Sequence, residues 1–165
     1  MLSDIPDGTS CLVDANILYY HLVSTPGLSE QSTELLIRGR HGALSLIVPV
    51  TALAEAIHKV MVAEAAARFH LPLQGLAHRL SSRRDLISQL EQHKRVLPAA
   101  RAADAQIISV TGQHINLAAE LSIQHGLLTN DAILLAVARS VAVSHLATND
   151  DDFDSIPDLT VWKPR

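Results

Sequence analysis

Short apolar runs rich in Val, Ile and Leu alternate along this chain with longer segments whose apolar residues recur at helical spacing. That alternation is the pattern of parallel strands joined by crossover helices, an α/β class. CLVD (11–14) reads as the first strand and ALSLIVPV (43–50) as the second. SHLAT (144–148) and LTVW (159–162) follow near the end, and RVLPA (95–99) is a further candidate in which Pro98 would interrupt a ladder. Unbroken apolar runs of this kind suit strands covered on both faces. The expected sheet is therefore central and mostly parallel, with four or five strands.

Helical spacing predicts helices over 16–23, 29–38, 52–69, 73–93, 102–110, 113–125 and 130–140. Ser29 is the expected cap of the second, Gly39 and Gly126 stand where C-terminal glycines belong, and Pro72 separates two long helices. Residues 52–93 thus read as a helical hairpin. Its stripe of Ala52, Ala56, Val60, Ala63 and Ala67 suits close helix packing or a partner, with core packing the expected use. No repeat, low-complexity tract or linker divides the chain, so residues 1–165 are expected to form one domain.

Composition narrows the setting. With 48% hydrophobic but only 3% aromatic residues, the core must be built from Leu, Ile, Val and Ala. A chain of 165 residues removes roughly 70% of its unfolded surface from water when compact. Cys11 is the one cysteine, which excludes an intramolecular disulfide and points to a reducing cytoplasm. MLSDIPDGTS has no basic stretch followed by an apolar core, and no apolar run is long enough to span a bilayer, so neither secretion nor membrane insertion is expected. A net charge of −4 argues against a broadly basic nucleic-acid binder. Local basic groups remain at Arg38, Arg40 and His41, at Arg79, Arg83 and Arg84, and at Lys94, Arg95 and Arg101, as solvated faces or as phosphate contacts.

Carboxylates at element ends or in apolar surroundings need a physical reason. Asp14 closes the first strand and is followed by Asn16; Glu55 lies one turn into the helix after the second strand. Asp131 opens the helix in LLTNDAILLAVA, and Asp150 follows SHLAT with Asp151 and Asp152 beside it. Singly these are a helix cap, an exposed glutamate, a helix-dipole partner and an Asx turn. Jointly they differ, because strand ends on the C-terminal edge of a parallel sheet share one crevice with the helix starts that follow them. Carboxylates about 4 Å apart repel by about 4 kcal/mol per pair at an effective dielectric of about 20, and a cation removes that cost. Oxygen ligands select Mg2+ or Mn2+ over zinc, and the nine histidines include no pair four residues apart.

With those residues in view, the chain resembles the PIN-domain ribonucleases, and in particular the VapC-like toxins of prokaryotic toxin-antitoxin pairs. CLVDANILYY looks like the opening strand with its first acid, VPVTALAEAIHKV like the segment carrying the glutamate, and GLLTNDAILLAVA like the third block. The register of AILLAVA there selects Asp131 over Asn130. LATNDDDF looks like the closing T-x-D-x-D-F pattern through Thr148, Asp150, Asp152 and Phe153. The resemblance covers about residues 10 to 163 and implies a three-layer α/β/α fold. It further implies Asp14, Glu55, Asp131 and Asp150 as catalytic acids holding Mg2+ or Mn2+, with Asp152 as a secondary ligand and Asn16 and Thr148 in support. The implied activity is hydrolysis of RNA phosphodiesters, by a homodimer with an antitoxin protein as partner.

Two other classes remain open. An aspartyl-phosphate enzyme would use the same crevice, but the chain offers DAN (14–16) where a D-x-D is needed, and its lysines are only Lys59, Lys94 and Lys163. A PIN-like scaffold that binds RNA or protein without catalysis would be expected to have lost one or more of the four acids, all of which are present here.

Overall fold

A computed structural model describes residues 1–165. Five parallel strands form the sheet: β1 (Ser10–Val13), β2 (Ser45–Pro49), β3 (Gln106–Ile108), β4 (His145–Ala147) and β5 (Thr160–Trp162), in the spatial order β3-β2-β1-β4-β5. Helices α1 (Ala15–Leu22) and α2 (Leu28–Arg40) connect β1 to β2. Next come α3 (Val50–Phe69), α4 (Leu76–Leu80), α5 (Arg84–Ile87) and α6 (Val96–Ala102), then, between β3 and β4, α7 (Gly112–His125) and α8 (Thr129–Ser140).

The period of two along each strand sorts the side chains into two layers. Cys11, Val13, Leu46, Val48 and Ala147 face a core filled from α1, α2, α3 and α6, whereas Leu12, Ile47 and Leu146 face a second core filled from α7 and α8. The result is the expected three-layer α/β/α arrangement. Each fully buried Leu, Ile or Val here contributes about 1.5–3 kcal/mol. Burial pushes the Cys11 thiol up to about 12, so it is packing rather than a nucleophile. No single helix is long and apolar enough to cross a membrane.

Several expectations are corrected. The segment 73–93 is not a helix, so 52–93 is not a helical hairpin: α3 is long, but only α4, α5 and a 3-10 turn at Gln92–Arg95 follow it. Gly75 sits at φ +67, and the hydroxyls of Ser81 and Ser82 bond back to the carbonyls of His78 and Arg79, competing with continued helix. The Glu64 carboxylate of α3 then takes the free backbone N–H groups of Glu91 and Gln92, and Ala65, Leu76, Leu80 and Leu90 close a small satellite core. RVLPA (95–99) is not a strand but the start of α6; Pro98 is tolerated because the first helical turn has no partner for its missing N–H. The helix expected over 102–110 is replaced by β3, since Asp104 adopts φ +54 and ends α6.

Ser29 does not cap α2, which starts at Leu28; its hydroxyl instead accepts from the Thr25 N–H at 2.7 Å. Gly39 is not a C-terminal cap. It lies within α2, where a Cβ would stand 2.7 Å from the Ala103 carbonyl oxygen, so the helix packs on the neighbouring loop only because that side chain is missing. Gly126, at φ +71, does end α7 as expected. The small-residue stripe is buried at Ala52, Ala56 and Val60 but reaches the surface by Ala67.

Candidate metal centre

Strand order reverses direction at β1, whose neighbours are β2 on one side and β4 on the other. The crevice outside the C-terminal ends of β1 and β4 is therefore the switch point at which open α/β sheets bind ligands. Both strands deliver an aspartate there. Asp14 continues the ladder, its N–H donating to the Ala147 carbonyl at 3.0 Å, and then caps α1 by accepting from the Ala15 N–H at 2.5 Å. Asp150 begins a 3-10 turn (Asp151–Phe153) by accepting from the Asp152 N–H at 3.0 Å, and fully buried Phe153 pins that turn into the core.

A closed hydrogen-bond network holds the two strand ends in register. The Asn16 amide nitrogen donates to Asp14 Oδ2 at 2.6 Å and to Thr148 Oγ1 at 3.0 Å; the Thr148 hydroxyl donates to Asp14 Oδ2 at 2.7 Å. Thr148 Oγ1 also accepts from the Asp150 N–H at 3.0 Å, and Asn16 Oδ1 accepts from the Asn149 N–H at 3.2 Å. Asn16 and Thr148 are themselves buried.

Helices supply the rest. Glu55 on α3 pairs with Lys59 one turn on, at 2.8 Å, and its other oxygen accepts from the Asn130 amide at 3.0 Å. Asp131 is the third residue of α8 rather than its first. Oxygens of Asp131, Asp150 and Asp152 lie within 4.8 Å of one another. Asp14, Glu55, Asn130 and Asp131 line an adjoining cavity of ≈ 10 Å³, about the room one water occupies. Burial, and then the charges of Asp150, Asp14, Asp152 and Glu55, push the Asp131 carboxyl up to about 6. Burial also raises Asp14, against the pull of its Thr148 and Ala15 hydrogen bonds.

Of the three adjacent aspartates, the middle one turns away. Asp151 and Asp154 share Lys163 at 2.6 Å each, and that hydrogen bond holds the Asp151 carboxyl below the usual carboxylate range. No basic side chain pairs with Asp131, Asp150 or Asp152. Three carboxylate oxygens at this spacing could hold a metal ion, and an all-oxygen donor set suits a hard divalent one. Lys59 and Asn149 were not legible as parts of this site from residue type alone, although the Glu55–Lys59 spacing of four is a recognisable helical pair, and Asn130, set aside in the sequence in favour of Asp131, serves as the partner of Glu55.

Residues 11–159 match the family model of the PIN domain. The chain belongs to the PIN-domain family. Solved structures share the fold of this PIN domain. A toxin-antitoxin complex from Klebsiella pneumoniae is 23% identical with a TM-score of 0.57, covering 94% of this chain and 98% of its own. VapBC2 from Rickettsia felis, bound to a DNA fragment from its promoter, is 17% identical with a TM-score of 0.56 and covers 94% and 98%. FitAcB from Neisseria gonorrhoeae is 20% identical with a TM-score of 0.55 and covers 93% and 97%. No curated protein matches the sequence at a significant level.

Proposed function

We propose that this PIN domain is a divalent-metal-dependent endoribonuclease that hydrolyses RNA phosphodiester bonds, and that it is the toxin of a type II toxin-antitoxin pair in the cytoplasm. The observation that carries the reading is the convergence of Asp131, Asp150 and Asp152 without any basic partner, beside a cavity lined by Asp14 and Glu55. Asp14, Glu55, Asp131 and Asp150 would hold Mg2+ or Mn2+, with Asp152 beside them. A bound ion of that kind lowers the pKa of an attacking water and offsets charge on the scissile phosphate.

The chain's own residues do the positioning. Thr148 and Asn16 fix the orientation of the Asp14 carboxylate, and the Asp152 N–H fixes that of Asp150. Lys59 and Asn130 clamp Glu55 from both sides. An antitoxin partner is inferred from the toxin-antitoxin assemblies that share the fold. Self-association into a homodimer is supported by Ile115, Ile123 and Leu128 around α7 and the start of α8, which are 48%, 89% and 76% exposed.

Incubation of the purified chain with labelled single-stranded RNA tests the reading. Cleavage with Mg2+ or Mn2+, its loss with a chelator, and its loss in Asp14→Asn with an unchanged circular dichroism spectrum are the expected results. Cleavage by Asp14→Asn at the parent rate would remove Asp14 from the chemistry, and RNA binding without metal-dependent cleavage would leave a non-catalytic scaffold.

A further inference from the structure

Beside the acidic crevice lies a groove of ≈ 430 Å³, walled by Asn16, Tyr19, Tyr20, His58, Lys59 and Leu73 among others. It contains both tyrosines of a chain that has only five aromatic residues of the Phe, Trp and Tyr types, two Phe, one Trp and two Tyr. Their rings meet edge to face, with centroids 5.6 Å apart at 63°, and both are only half-buried. Tyr20 is tied to the catalytic edge: its phenolic oxygen accepts from the Asn149 amide at 3.1 Å, and Asn149 immediately precedes Asp150. Asn16 belongs to both places, bonding Asp14 on one side and lining the groove on the other. Leu73, 63% exposed, forms the outer lip.

Charge decides what this groove suits. The crevice gathers Asp14, Glu55, Asp131, Asp150 and Asp152, while Lys163, near Asp151, is already shared between Asp151 and Asp154. Lys59 is the ammonium at the junction of crevice and groove, and although it reaches Glu55 its side chain stays 40% exposed. An anionic group entering from the groove side meets that cation, and a flat ring entering with it meets the tyrosines. Phosphate on an ammonium and a base on an aromatic face are the two contacts by which single-stranded nucleic acid is held.

Resting on the ribonuclease reading, we infer that this groove is the subsite for one unpaired nucleotide adjoining the scissile phosphate, with its base against the Tyr19–Tyr20 pair and its phosphate on Lys59. A duplex cannot supply that base without unstacking it, so the groove selects single-stranded RNA. Tyr19 also packs against the main core, which makes Tyr20 the informative position.

The test is fluorescence anisotropy with a fluorescein-labelled single-stranded RNA of mixed sequence, of about 12 nucleotides so as to span a site of the size such proteins use. It is run with Mg2+ on the full chain carrying Asp14→Asn, in parallel with cleavage of the same RNA by the unmodified protein. Tyr20→Leu should weaken binding about tenfold while Tyr20→Phe, which keeps the ring, stays within about threefold. Lys59→Met should lower the salt dependence of binding by about 0.7 in log–log slope, and Lys59→Arg should restore it. Melting curves confirm that each variant is folded. Parent-like binding by both Tyr20→Leu and Lys59→Met overturns the subsite, and would leave the groove to a protein partner. Cleavage that fails while binding responds as expected overturns the nuclease reading alone; absence of any RNA binding overturns both.

Discussion

The Thr148 hydroxyl donates to Asp14 Oδ2 at 2.7 Å across 134 residues of sequence, and Thr148 Oγ1 itself accepts from the Asn16 amide and the Asp150 N–H. One buried hydroxyl thus sets the spacing between the ends of β1 and β4. Thr148→Val keeps the shape but leaves three polar partners short of a bond. It should lower stability by about 1–3 kcal/mol, the cost of unsatisfied buried groups. Because it also frees the Asp14 carboxylate to rotate, metal affinity should fall by about 10–100-fold, the loss typical when a ligand's supporting bond is removed. Chemical denaturation and metal titration calorimetry measure the two effects; parent-like metal affinity would show that the network is structural only.

Asp131 makes metal-free stability depend on pH in an unusual direction. Its folded value of about 6 lies above the ordinary 3.8, so the folded protein binds that proton more tightly than the unfolded chain does. Stability from this group is fully present below about pH 4 and is lost as pH rises to about 6. Asp14, raised in the same direction by burial, adds to the trend. With a chelator present, the melting temperature should fall across that window. Asp131→Asn should flatten the fall and raise the melting temperature above that window by about 2–4 °C, the shift that roughly 1 kcal/mol produces in a chain of this size, a figure kept small because Asp131 is only half-buried and solvent screens its charge. Excess Mg2+ should abolish the difference between pH 5 and pH 7. A metal-free melting temperature that climbs from pH 4 to 6 would contradict the raised carboxyls.

How far the sequence could be read depended on the range of the forces involved. Parallel strands β1, β2 and β4 were legible because continuous apolar runs have one physical use, and Asp14 and Asp150 were legible because a charge at the end of such a run needs a reason. Residues 73–93 misled because their apolar spacing is helical, while the break comes from the serine back-bonds at Ser81 and Ser82 and from Glu64 reaching across 27 residues to the Glu91 N–H. β3 was hidden for a related reason: a strand of three residues carries little periodicity, and the turn that frees it rests on Asp104 at φ +54. The partner of Glu55 in α8, Asn130, is set by a contact 75 residues long that no local pattern records.

Within the run Asp150–Asp151–Asp152 the structure separates the neighbours by what each side chain faces. Asp151 is 91% exposed in its side chain and engages Lys163, whereas Asp150 and Asp152 face Asp131. An ion pair this exposed contributes little, so Asp151→Asn should leave cleavage within about fivefold of the parent. Asp152→Asn removes an oxygen donor from the cluster and should raise the Mg2+ concentration needed for half-maximal cleavage by about tenfold or more. Titration of activity against Mg2+ reads both, and equal effects at the two positions would deny Asp152 a share in the site.

Ile123 leaves 89% of its surface in water on α7, and Leu128, just before α8, leaves 76%. Between the two helices, Ile115, Ala118, Ala119, Thr129 and Ile133 line a further hollow of ≈ 320 Å³. Exposed aliphatic side chains around a concave apolar surface cost solubility unless a partner covers them. If a second copy covers this face, Ile123→Glu places a carboxylate in the contact and should convert a dimer to a monomer in light scattering. Because Leu128 lies only three residues from Asp131 in sequence, the monomeric variant should also bind RNA more weakly while keeping its Mg2+ affinity. A parent chain that is monomeric at micromolar concentration, or an Ile123→Glu variant that stays dimeric, would place the self-association surface elsewhere.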